Sequence, residues 1–151
     1  MSIDAKLQEL DIVLPNAPSP VGSYVPFVRT GSLLFISGQI PTVNGKLLFE
    51  GKVPEKVSID NAINCARLCF LNALAQAKNA LNSLDEISRI VRMTGYIASS
   101  SQFTEQASVM NGASDLSFDI FGEIGRHARL AVGVNELPLG SPVELEVILE
   151  V

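Results

Sequence analysis

The chain has 151 residues, enough for one domain with a substantial core. Hydrophobic residues make up 47% and charged residues 18%, which excludes a disordered chain and leaves apolar surface for a large core and for contact between subunits. The net charge of -5, with 11 scattered Lys and Arg residues and no basic stripe, argues against direct binding of DNA or RNA.

In chain order, residues 1–6 show neither a basic n-region nor an apolar h-region, and no apolar stretch approaches the length of a membrane span. No signal peptide or membrane segment is therefore expected, and a cytoplasmic location is. Residues 3–10 read as a short helix. The Pro-rich stretch around Pro15, Pro18 and Pro20 follows as an ordered extended arm or loop. Strands are expected at 24–29 and 33–37, the second ending at Gly38. Asn44-Gly45 signals a hairpin joining 40–43 to 46–49, with Pro41 limiting the first piece. The clearest helix is 58–81, where Ile59, Ala62, Ile63, Ala66, Phe70, Ala73, Ala77 and Leu81 recur at helical spacing. Asn64 and Gln76 lie mostly off that stripe, whereas Leu68 and Leu71 widen it, so more than one side is covered.

Ser83 or Asp85 caps a short turn, and 87–98 contains a strand. A second helix is expected over 102–121, weakened by Gly112. A strand at 130–134 and a turn at 137–142 lead to the best strand, 143–151. There Val143, Leu145, Val147 and Leu149 point to a core, and Glu144 and Glu146 point the other way. No repeat or long linker divides the chain, so residues 1–151 are read as a single α+β domain: a mixed β-sheet with two main helices packed on one face. The face without helices is where subunits are expected to meet.

Few residues offer chemistry. No phosphate-binding glycine loop and no nucleophile elbow is present. Cys65 and Cys69, with one distant histidine, do not make a zinc pattern and read as small buried hydrophobes, so no metal is expected. His127, the only histidine, reads as a loop residue making one hydrogen bond or as a general acid or base. Arg129 opens an apolar strand; its planar fork suits a carboxylate ligand or a structural ion pair with a glutamate. Glu144 and Glu146 are solvated strand carboxylates, or one of them is a general base. Tyr24, Ser37 and Asn111 are further polar candidates.

Three blocks acquire meaning together. They are Ala17-Pro18-Ser19-Pro20-Val21-Gly22-Ser23-Tyr24, then Leu34-Phe35-Ile36-Ser37-Gly38-Gln39-Ile40-Pro41, then the run from Ala128-Arg129 to Leu137-Pro138 followed by Val143-Glu144-Leu145-Glu146. In this order and spacing the chain resembles the Rid (reactive intermediate deaminase) family, also called YjgF-like or endoribonuclease L-PSP, from about Asn16 onward. The resemblance implies a chorismate-mutase-like fold and a homotrimer with active sites between subunits. It implies cofactor-free hydrolysis of enamines and imines such as 2-aminoacrylate to 2-keto acids and ammonia.

By the same resemblance, Arg129 grips the substrate carboxylate and Glu144 orients the attacking water. Tyr24 stands at the pocket mouth, Ser37 and Gly38 form the strand end facing the ligand, and Asn111 lines the pocket from a helix. The chain departs from the family pattern at Ala131 and His127, where close deaminase relatives often carry cysteine and proline, and in a longer stretch from Phe103 to Arg129. These departures keep open a reading from another class: a non-catalytic trimeric binder of small carboxylic acids with a regulatory role.

Overall fold

The computed structural model describes residues 1–151. Helix α1 (Ile3–Glu9) starts where the Ser2 hydroxyl accepts from the Ala5 amide. The Pro-rich arm that follows is fixed by Gln76, whose Nε2 donates to the Pro18 carbonyl at 2.7 Å. Strand β1 (Phe27–Thr30) comes next. It begins three residues later than the sequence predicts. Pro26 has no amide hydrogen to give a ladder, and its carbonyl instead receives the Ser37 amide.

Strand β2 (Leu33–Gln39) leads to the small hairpin of β3 (Thr42–Val43) and β4 (Lys46–Leu47). Asn44 and Gly45 sit at φ 51° and 79°, the positive values that a two-residue hairpin turn demands. Helix α2 (Ile59–Ala80) lies inside its expected bounds, with Ser58 as N-cap and Leu81 as C-cap. The short turn after it is capped by Ser83, reciprocated by Glu86.

Strand β5 (Arg89–Ala98), helix α3 (Gln106–Phe121), strand β6 (Ala128–Val134) and strand β7 (Val143–Glu150) complete the chain. Helix α3 begins four residues later than expected. Gln102 adopts φ 69°, and Phe103 turns back onto the Ser100 carbonyl, so the chain is not helical before Glu105. Gly112 does not interrupt α3. A Cβ there would overlap the Ile63 carbonyl, so the glycine is what lets α2 and α3 approach.

The main sheet has the order β1-β2-β7-β5-β6, with β5 and β6 parallel and the other neighbours antiparallel. Leu34, Ile36, Met93, Ile97, Leu145 and Val147 of the sheet join Phe70 and Leu74 of α2 and Met110 of α3 in one buried cluster. Both long helices therefore cover the same face. Gln76, read from its spacing as lying off the buried stripe, is 2% exposed beneath the arm. Cys65 and Cys69 are buried and unbridged, and burial pushes the Cys65 thiol up to about 12.

The other face has no helix. Val28 of β1 pairs with Phe35 of β2, which pairs with Ile148 of β7, a row of apolar side chains across three strands. Val28 and Phe35 are exposed, as is Leu130 of β6. No helix is long and apolar enough to cross a membrane.

Candidate active site

The residues proposed from the sequence fall into two groups, one on each face of the sheet. The first group forms where β2 and β7 lose register. Ile36 pairs with Val147 and Gln39 with Leu145, so Ser37 and Gly38 occupy a bulge. Glu144, next along β7, packs on that bulge. A Cβ at position 38 would overlap Glu144 Oε1, so the missing side chain is the space that the carboxylate fills. Ser37 also fastens the end of the arm: its hydroxyl donates to the Val25 carbonyl at 2.7 Å and its amide to the Pro26 carbonyl at 2.9 Å. Tyr24, one residue before that anchor, is half exposed, and its hydroxyl accepts from the Val21 amide at 3.2 Å. Ser37, Gly38 and Glu144 thus form one patch, and Tyr24 directly precedes the Val25 carbonyl that Ser37 holds.

Glu144 is half-buried, and no hydrogen bond within the chain satisfies its carboxylate. Burial, and then the neighbouring Glu146, hold its pKa above the ordinary carboxylate value. A carboxylate so placed is a better base than a solvated one.

The second group surrounds Arg129 on β6. Asn111 and Ser114, three residues apart on one face of α3, both meet its guanidinium. Arg129 Nη1 donates to Asn111 Oδ1 at 2.8 Å and to Ser114 Oγ at 3.1 Å. The ion pairs of the chain are Lys6–Glu9, Lys52–Glu136, Lys78–Asp4 and Arg126–Glu123. Arg129 has no carboxylate partner, so the structural ion pair is not what this residue forms within the chain. With Nη1 occupied, the edge made by Nε–H and Nη2–H remains, a fork that fits a ligand carboxylate. A cavity of about 720 Å³ opens beside it, lined by residues that include Asp115, Phe118, Arg126 and His127.

His127 makes two hydrogen bonds rather than one. Nδ1 lies 2.7 Å from the Gly125 carbonyl and Nε2 lies 2.9 Å from Ser114 Oγ. Burial lowers its pKa, and Arg129 adds to that against the opposing effect of the Gly125 bond. Ser114 does not stand out in the sequence. The signal for it is the spacing of three from Asn111, which only the packing of α3 on β6 makes meaningful.

The strand register separates the two groups. Glu144 pairs with Tyr96 and Tyr96 with Val132, whereas Arg129 pairs with Met93 and Met93 with buried Val147. Glu144 therefore points to the helix-free face and Arg129 toward the helices. Three strand residues and two inter-strand spacings put their Cα atoms about 14 Å apart, with the side chains directed away from each other. No three His, Cys, Asp or Glu side chains converge to hold a metal ion.

The family model described as "YjgF/chorismate_mutase-like, putative endoribonuclease" matches residues 4–150. The chain belongs to this YjgF-like family. Its chorismate-mutase-like fold, expected from the resemblance, is borne out. Protein TCP17 of Trypanosoma cruzi is 41% identical over 149 residues, covering 98% of this chain and 93% of that protein. The crystal structure of Atu1372 from Agrobacterium tumefaciens, a protein of unknown function, superposes with a TM-score of 0.90 at 44% identity, covering 99% of this chain and 92% of that one. E. coli TdcF with bound serine superposes with a TM-score of 0.66 at 28% identity, covering 90% of this YjgF-like chain and 94% of that one.

Proposed function

We propose that this YjgF-like protein hydrolyses reactive 2-imino acids and their enamine tautomers, of the 2-aminoacrylate class, to 2-keto acids and ammonia. The site is completed by two copies of the chain within a homotrimer. One copy supplies Arg129 and Asn111; its neighbour supplies Glu144, Ser37, Gly38 and Tyr24. The observation that carries this reading is the opposition of the two groups across the sheet. A small substrate held by Arg129 cannot reach Glu144 of the same chain, and the apolar row Val28–Phe35–Ile148 on the helix-free face is surface suited to a second copy.

The chemistry is modest enough for these groups. A protonated imine carbon is already electrophilic. Arg129 holds the carboxylate in a bidentate fork and fixes where that carbon lies. Glu144 takes a proton from water as the C–O bond forms and the C=N π pair moves to nitrogen. The same proton then passes to the amine nitrogen and the C–N bond breaks; as the hydroxyl oxygen closes to a ketone its proton goes to Glu144, which passes it to the departing ammonia and is restored as a carboxylate. The two hydrogens and the oxygen of water end on the products.

The serine bound to TdcF, a small carboxylate-bearing molecule on a relative, supports the ligand class. The net charge of -5 supports a small molecule over RNA as the partner.

The test is release of 2-keto acid from freshly generated 2-imino acids with side chains from small to bulky. Wild-type acceleration that is lost in both Arg129→Ala and Glu144→Gln is the expected result. Tight carboxylate binding with no acceleration across the panel would instead identify a binding protein.

A further inference from the structure

Arginine has a long, freely rotating side chain, so a guanidinium that must meet a carboxylate in one orientation needs support from its own chain. The support here is a polar stripe on α3. Asn111, Ser114 and Ser117 recur every third residue. Asn111 and Ser114 accept from Arg129 Nη1, and the Ser117 hydroxyl donates to the Gly125 carbonyl at 2.8 Å. That same carbonyl lies 2.7 Å from His127 Nδ1. A carbonyl oxygen only accepts, so Nδ1 carries the proton. In neutral imidazole Nε2 is then an acceptor, and the Ser114 hydroxyl, 2.9 Å away, must donate to it. With its one proton committed, Ser114 Oγ presents lone pairs to Arg129.

The result is a chain of bonds with one direction: Arg129 Nη1–H to Ser114 Oγ, Ser114 O–H to His127 Nε2, and His127 Nδ1–H to the Gly125 carbonyl, itself pinned by Ser117. We propose that Ser114 and His127 are positioning residues for Arg129, fixing the rotation of its guanidinium so that the Nε–Nη2 edge faces the substrate carboxylate. The proposal rests on the reading of Arg129 as the carboxylate anchor. Both ring nitrogens of His127 are engaged within the chain, so it acts through Arg129 rather than on the substrate. Burial, which lowers the pKa of this histidine, favours the neutral ring in which that tautomer exists.

The test compares the full-length wild type with Ser114→Ala, Ser114→Thr and His127→Phe. Pyruvate, a minimal 2-keto acid, is the calorimetric probe, and imine hydrolysis is followed in parallel. Ser114→Ala and His127→Phe are expected to weaken pyruvate binding about tenfold, the size of one lost hydrogen bond to a charged group. The same two variants should raise KM with kcat largely retained. Ser114→Thr, which keeps the hydroxyl, should restore binding to within about threefold of wild type. A merely structural role would not produce this split between KM and kcat or its rescue by threonine.

Pyruvate affinity unchanged in both Ser114→Ala and His127→Phe would overturn the proposal, as would failure of threonine to rescue in a folded variant. Absence of pyruvate binding by the wild type would overturn it too. Pyruvate binding that depends on Ser114 in a wild type without imine hydrolysis would uphold the positioning role and refute the hydrolase reading alone.

Discussion

Arg129 and Glu144 stand on strands separated only by β5, yet they face opposite sides of the sheet. Under the proposed hydrolysis, this relationship makes the single chain an incomplete site. It assigns each group a distinct loss on substitution.

Arg129→Lys keeps the positive charge and loses the fork. A lysine ammonium cannot meet Asn111, Ser114 and both oxygens of a ligand carboxylate in one plane. The expected result is at least about a tenfold fall in kcat/KM for 2-imino acids, with the thermal midpoint little changed because Arg129 makes no ion pair within the chain. Steady-state kinetics beside a melting curve checks both halves.

Gly38→Ala should disable the site while sparing the fold. The added Cβ would overlap Glu144 Oε1, the mobile end of a side chain, so the carboxylate is displaced while the backbone stays. A misplacement of about 1 Å at a general base is expected to cost on the order of a hundredfold in kcat. Retention of wild-type kcat would refute the packing of the Glu144 carboxylate against Gly38 as its working position.

The shifted pKa values of Glu144 and His127 give opposite pH dependences. Glu144 holds its proton to higher pH when folded than when unfolded, so ionising it costs stability as pH rises through its folded pKa. Glu144→Gln should melt above wild type at pH 7, and the gap should close below about pH 4, where both states hold the proton. His127 behaves in reverse. Its folded pKa is lowered from 6.5, so the unfolded chain takes up the proton first, and stability declines as pH falls from that value to the folded pKa. His127→Phe should lose that decline. Melting temperatures of the three proteins from pH 4 to pH 8 measure both effects.

Phe35 tests the helix-free face. Phe35→Glu places a charge at the centre of the row formed with Val28 and Ile148, without touching the buried cluster. The variant is expected to keep its circular dichroism, to scatter light as a monomer, and to lose imine hydrolysis.

Local chemistry made much of the fold legible in the sequence. Ser58 and the apolar spacing from Ile59 to Ala77 set the limits of α2, Asn44-Gly45 set the hairpin, and the alternation from Val143 to Leu149 set β7. The misses have tertiary causes. Glu105 caps α3 without a side-chain hydrogen bond, so nothing in its residue type marks the start of that helix. Gln76 is buried because its partner is the Pro18 carbonyl, fifty-eight positions away. The candidate site was legible only as residue types, Arg129 and Glu144 among them. Their opposed directions, and the path from Arg129 through Ser114 to His127, follow from which strands pair and which face α3 covers. Those relations are not written in any one segment.

The most direct measurement mixes Arg129→Ala and Glu144→Gln chains in equal amounts under conditions that exchange subunits. Each variant alone should leave 2-imino acids unhydrolysed. If one copy supplies Arg129 and its neighbour Glu144, random exchange rebuilds about a quarter of the sites with both native groups, and the mixture should recover about that fraction of wild-type activity. A mixture that exchanges subunits yet hydrolyses no faster than the separate variants would contradict a site shared between copies.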